Sequence, residues 1–200
     1  IPRYMELTNE FNLKEIEQTT KDYLSKLDLQ KLIDDSSDKR DKIMFIEGPP
    51  TLNGAPHAGH LRGRVFKDLW YRFNTLNSKN VVFNAGWDTQ GLPVELQAEK
   101  ELKIEKGRKD ERSEEEIKNL VVGCKKIIND YEEKWKGVDK KLGVSLNQDE
   151  ENMYRTHEDK FIEREWKLLK HAYENEILTE GYRVVAYCPS CLTSLSHSEV

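Results

Sequence analysis

The sequence predicts an α/β fold built on a parallel sheet, and three observations carry that prediction. A short apolar run, Ile43, Met44, Phe45 and Ile46, stops at Gly48-Pro49-Pro50, as a buried parallel strand does where it enters a loop. Leu61, Val65, Leu69, Phe73 and Leu76 then recur every three or four residues, the period of an amphipathic helix over residues 57–76. A second strand-like run at residues 80–85 ends at Gly86. Strand, helix and strand in this order form one βαβ unit, whose crossover is right-handed.

The remaining elements follow from the same signals. Ahead of the unit, Leu13, Ile16, Tyr23, Leu24, Leu27 and Leu32 fall mostly at helical spacing, and Asp34-Asp35-Ser36-Ser37-Asp38 reads as a break. Residues 1–40 are therefore expected to be an N-terminal helical arm. Pro93 suits the first turn of a further helix, where its missing N–H costs nothing. Charge dominates residues 106–116, which predicts a solvated connection or a helix start. Two more helices are expected at residues 113–136 and 158–177, the first opened by Ser113 and Glu116 at capping-box spacing. From Tyr182 the texture changes to a strand-like Arg183-Val184-Val185-Ala186-Tyr187, then Cys188-Pro189-Ser190-Cys191, so a boundary is expected near Gly181.

Composition narrows the class. Among 200 residues, 36% are hydrophobic and 34% charged, which suits one domain of ordinary size with a heavily solvated exterior. The net charge of −5 argues against a stand-alone nucleic-acid binder, which is strongly basic as a rule. Every apolar run is far shorter than the roughly 20 residues that cross a bilayer. Three cysteines, Cys124, Cys188 and Cys191, do not make a disulfide framework. The sequence thus predicts a cytoplasmic protein with no membrane partner.

Residues 48–60 carry the chemistry. They leave the carboxyl end of one strand and enter the amino end of a helix, the place where ligands collect on open α/β sheets. A helix start offers unpaired N–H groups and partial positive charge, which favour anions. His57 and His60 are three residues apart and share one face of that first turn, where imidazoles can donate to phosphate oxygens. Gly59 lies between them without a side chain, so an adenine or ribose could approach its backbone. Two surface histidines, or a zinc pair, would give the same tetrapeptide. The spacing of a Walker loop is absent. Asp88, in the Gly-bounded loop after the second strand, is an Asx-turn residue or the carboxylate of the same cleft.

Taken together, Gly48-Pro49-Pro50, Asn53-Gly54, His57 to His60, Gly86-Trp87-Asp88-Thr89 and Gly91-Leu92-Pro93-Val94-Glu95 resemble class I aminoacyl-tRNA synthetases, and among them the isoleucine enzymes. The resemblance runs from about residue 45 to residue 200. It implies the first half of a Rossmann-like parallel-sheet nucleotide-binding catalytic domain at 41–180, with a zinc-knuckle insertion starting at 181–200. His57 and His60 would stabilise the phosphates of ATP, carried with Mg2+, and Gly59 would lie beneath the adenine. Gly48 and Pro49 would line the amino-acid pocket, and Asp88 would hold the α-ammonium group. The implied partners are isoleucine, ATP and, mainly through regions beyond these residues, tRNA(Ile), with the whole protein a monomer. The family's lysine-rich second signature does not occur in the sequence, so the resemblance implies an amino-terminal part without activity of its own. Gln90 departs from the pattern, since the family often has His there, and Gln cannot be protonated.

Several readings stay open. Cys188 and Cys191 are half of a thiolate zinc site, a redox pair or two buried thiols, and in this family they resemble the entrance to the zinc-bearing insertion. His197 is a weak third ligand candidate. A nucleotidyltransferase with the same histidine turn, a valine or leucine enzyme, or a non-catalytic synthetase-derived module are the alternatives. Cys124 is expected to be a small buried hydrophobe, Trp135 and Trp166 to serve helix packing, and His157 and His171 to be surface or packing histidines.

Overall fold

The computed structural model describes residues 11–27, 41–104 and 109–197. Helix α1 (Leu13–Leu24) begins at Asn12, whose side chain accepts from the Glu15 amide, and buries none of its residues. The expected break at residues 34–38 lies outside the described residues, as do residues 105–108 of the charged connection.

Strand β1 (Lys42–Met44) pairs in parallel with β2 (Asn80–Val82), and helix α2 (Ala58–Leu76) connects them. The βαβ unit is therefore formed. Beyond β2 the chain continues as β3 (Gly86–Trp87), which pairs in parallel with β4 (Tyr154–Arg155). Residues 80–88 run between two parallel neighbours. On one side the Phe45 amide donates to the Val82 carbonyl, the Asp88 amide to Pro50 and the Leu52 amide to Asp88. On the other, Ala85 donates to Asn147, Tyr154 to Ala85 and Thr156 to Trp87. Alternate amides thus serve opposite neighbours, the pattern of a strand paired on both edges.

Helix α3 (Leu92–Leu102) carries Pro93 in its first turn, and the long α4 (Glu114–Leu142) packs along it. The capping box at the start of α4 is present: Ser113 Oγ accepts the Glu116 amide, and Glu116 accepts the Ser113 amide at 2.7 Å. Helix α5 (Asp159–Glu174) follows β4, and an antiparallel hairpin, β5 (Ala186–Cys188) with β6 (Thr193–Leu195), carries the cysteines. Among the described residues no helix is long and apolar enough to cross a membrane.

The core gathers Leu52, Tyr71, Phe83, Ala85, Trp87, Val94, Ile128, Trp135, Leu146 and Met153. Trp87 and Leu52 are fully buried, so the loops after β1 and β3 are anchored by apolar side chains at their roots. Close approach is built in at Gly86: a Cβ there would lie 2.2 Å from the Tyr154 ring. That ring is held by its hydroxyl, which donates to the Glu47 carbonyl, and by stacking on Phe161.

Two expectations need correction. Helix α2 is where the periodicity places it, but its apolar stripe does not face the sheet. Val65, Leu69, Phe73 and Leu76 are exposed, whereas Arg64 and Tyr71 are buried. Arg64 is drawn inward by two carboxylates, Glu47 and Asp139, and Tyr71 stacks on Phe83. Ion pairing and ring packing, which the spacing of apolar residues cannot register, chose the other face. Trp166 is likewise 66% exposed, so it serves no packing among the described residues, while Trp135 is buried.

Candidate active site

The loop after β1 and the loop after β3 meet at the carboxyl edge of the sheet. Thr51 and Asp88 form a parallel bridge, in which the Asp88 N–H donates to the Pro50 carbonyl and the Asp88 carbonyl accepts from the Leu52 N–H. Gly48 and Pro49 therefore stand on the same edge as Asp88. Gly48 is exposed, with open space where a Cβ would project, and its carbonyl accepts from Lys67 at 3.5 Å.

The Asp88 carboxylate is part of a hydrogen-bonded row. Thr51 Oγ1 donates to it at 2.6 Å and Thr156 Oγ1 at 3.4 Å. Thr156 Oγ1 in turn accepts the Thr89 amide, and Thr89 Oγ1 lies 2.8 Å from Nδ1 of His157. Burial lowers the pKa of His157, so its neutral ring can accept from Thr89. His157 thus stands at the end of the row that reaches Asp88. Nothing local in the sequence marks it, because its partner Thr89 lies 68 positions away.

His57 is the N-cap of α2, in extended conformation, and its amide donates to Nδ1 of His60 at 3.4 Å. The two rings stack with centroids 3.7 Å apart. A Cβ on Gly59 would come 3.0 Å from Cε1 of His57, so the bare residue leaves room for the imidazole to lie over the turn. Both histidines are exposed, as a site for a diffusing anion requires. On its inner side His60 packs against Trp135 at 4.9 Å, and Trp135 meets Trp87 edge-on at 6.1 Å. The indole N–H of Trp135 donates to the Gly54 carbonyl at 3.2 Å. Among the described residues no hydrogen bond joins either histidine to Asp88; ring contacts run from His60 to Trp135 and from Trp135 to Trp87, which precedes Asp88.

Partial desolvation lowers the pKa of His60 below its ordinary 6.5, and the neighbouring His57 and Arg64 charges add to the effect. A folded-state pKa below the unfolded one means that the unfolded chain binds more protons between the two values. Stability from this ring is thus complete above the unfolded pKa and is lost as pH falls through the folded one. NMR titration of the His60 ring is expected to give a midpoint below the ordinary value, and one above it would contradict the packing described.

Cys188 and Cys191 form a knuckle in which the Cys191 amide donates to Cys188 Sγ at 3.2 Å and the Leu192 amide to the Cys188 carbonyl. That amide, with the Cys191 thiol, lowers the pKa of Cys188, while Cys191 is raised by burial and by its neighbour. Among the described residues no group of three or more His, Cys, Asp or Glu side chains is gathered as for a metal. Cys124 is half-buried between the two apolar clusters, and burial raises its pKa.

Residues 22–200 match the family described as tRNA synthetases class I (I, L, M and V). The chain belongs to that family. The synthetase sequence is 42% identical over 161 residues to an isoleucine–tRNA ligase of Pyrobaculum aerophilum, covering 80% of this chain and 16% of that protein. It is 41% identical over 172 residues to the isoleucine–tRNA ligase of Clostridium novyi, covering 86% of this chain and 16% of that protein. With isoleucine–tRNA ligase 2 of Bacillus cereus, identity is 43% over 158 residues, or 79% of this chain and 15% of that one. The chain therefore spans about one sixth of the length of these relatives. In structure it is similar to the Agrobacterium radiobacter K84 agnB2 LeuRS solved with tRNA and LeuAMS. The TM-score is 0.51, with 22% identity over 74% of this chain and 16% of that one. At that identity the likeness shows the fold, a synthetase catalytic-domain arrangement of helices and parallel strands.

Proposed function

We propose that the chain is the amino-terminal part of an isoleucine–tRNA ligase and carries the half of its catalytic site that binds ATP phosphates and the amino-acid amine. The bridge between Thr51 and Asp88 carries this reading, because it locks the loop that leads to the histidines against the loop that holds the carboxylate. The relatives named as isoleucine–tRNA ligases supply the amino acid.

In the reaction a carboxylate oxygen of isoleucine attacks the α-phosphorus of ATP, and the bond from that phosphorus to the leaving pyrophosphate breaks. Charge builds on the phosphate oxygens during this step. His57 and His60, at a helix start, donate hydrogen bonds to them there. Gly59, between the two histidines, would lie beneath the adenine, and magnesium carried with ATP would offset charge on the phosphates. Asp88 holds the α-ammonium group through a charge-assisted hydrogen bond. Thr51 and Thr156 fix the carboxylate's orientation for it. Gly48 and Pro49 line the side-chain pocket. A ribose hydroxyl at the 3′ end of tRNA then attacks the acyl carbonyl; the new ester bond forms, the bond to the adenylate phosphate oxygen breaks, and AMP leaves.

The same reading divides the chain into an arm at 1–40, a Rossmann-like half-domain at 41–180 and the start of an insertion at 181–200, in a cytoplasmic protein. Cys188 and Cys191 fit two of the four thiolates of a structural zinc, with an amide already aimed at one sulfur. The second pair would come from elsewhere in the protein.

ATP–pyrophosphate exchange by the full-length protein over a panel of amino acids tests the proposal. Exchange that depends on isoleucine is expected. Exchange driven best by valine or leucine, or independent of every amino acid, would overturn it.

A further inference from the structure

We infer that Arg64 is a positioning residue for the adenylation step, fixing His60 and the loop that begins at Gly48 in one rigid body. The inference rests on the reading that His57 and His60 act on the triphosphate.

Arg64 lies one helical turn beyond His60 on the same face of α2, and it is 2% exposed. Its guanidinium carbon sits 5.5 Å from the centroid of Trp87 and 5.2 Å from that of Trp135. A planar cation lying against both indoles, which themselves meet edge-on, restrains the pair. Trp135 is the ring that backs His60, and its N–H also holds the Gly54 carbonyl in the histidine loop. Fixing Trp135 therefore fixes the imidazole and its loop together.

Charge ties the other walls to the same group. Arg64 Nη1 meets Glu47 at 3.3 Å, and Nε lies 3.2 Å from Asp139 of α4. Glu47 immediately precedes Gly48, and Lys67 holds the same carboxylate. One buried side chain thus joins the start of the amino-acid loop, the helix that presents the histidines, and α4.

The arrangement is poor as a stabilising device. Arg64 Nη2 and Glu47 Oε2 are buried without hydrogen-bond partners, and Asp139 is desolvated enough for its pKa to be raised. Buried ion pairs of this kind contribute little net stability beside an apolar core of the same volume. What the pair supplies is registration between three elements. Displacement of a catalytic group by about 1 Å costs roughly 100-fold in rate, so registration is where its loss should be read.

The test measures isoleucine-dependent exchange in the full-length protein for Arg64→Lys, Trp135→Phe and His60→Asn, with thermal midpoints alongside. Lys keeps the charge and loses the planar fork; Phe keeps a ring against His60 and loses the N–H. For Arg64→Lys kcat should fall roughly 10- to 100-fold while the KM for ATP stays within about 2-fold, because the histidines act on charge that builds only during the reaction. If Arg64→Lys does not fold, Trp135→Phe decides, with a kcat loss of roughly 10-fold and the same unchanged KM. Loss of activity only in proportion to the unfolded fraction, or no loss, overturns the inference. A collapse in His60→Asn with normal kcat in the Arg64 and Trp135 variants sinks the positioning role alone. Normal kcat in His60→Asn sinks the histidine reading as well.

Discussion

Arg155→Met is expected to lower the unfolding free energy by about 2 kcal/mol, because it removes the two-pronged partner of a buried carboxylate and leaves Lys136 beside it. Glu132, on α4, is 3% exposed. Arg155 holds it with two parallel hydrogen bonds of 2.6 Å, one from Nε and one from Nη2. The same guanidinium reaches Glu150 and Glu158 at 3.1 Å, and Lys136 is the remaining cation on Glu132. Met matches the length of the stem and removes every donor. Urea unfolding followed by tryptophan fluorescence checks this, since Trp87 and Trp135 are buried reporters in the same core. Pairing the change with Glu132→Leu should restore most of the loss, because the carboxylate that needed the fork is gone. A single-variant loss below about 1 kcal/mol would place the pair among exposed bridges of little consequence.

Asp88→Asn in the full-length protein should raise the KM for isoleucine roughly 10- to 100-fold, the effect of losing a charge-assisted hydrogen bond to an ammonium group. The fold should survive, since the backbone of Asp88 is held by Pro50 and Leu52 rather than by its side chain. Asn still accepts from Thr51. The KM for ATP should change little, and exchange kinetics at varied isoleucine and ATP separate the two. An unchanged isoleucine KM would remove Asp88 from the amine site.

Much of the frame was legible because local signals agreed with one another. The run ending at Gly48-Pro49-Pro50, the period of α2 and the Ser113–Glu116 cap each name an element without help from distant residues. The orientation of α2 was not legible. Its apolar stripe points to solvent, and its buried face is set by Glu47 and Asp139, which meet Arg64 only in the folded chain. In the site, the positions of His57, His60 and Asp88 followed from loops at strand ends. The row from Asp88 through Thr156 and Thr89 to His157 spans residues 67 to 68 positions apart, so no sequence window contains it. Trp135 was expected to pack, and it does, but packing against His60 gives it a second consequence.

The central claim divides labour along one sheet edge: the histidines act on the phosphates and the carboxylate on the amine. Single-turnover adenylate formation by the full-length protein, with isoleucine affinity measured separately, tests that division for a His57→Asn/His60→Asn variant. The account predicts adenylation slowed by about 10²- to 10³-fold with isoleucine binding intact. Adenylate formed at the normal rate, or a loss of isoleucine binding that accounts for the whole defect, would contradict it.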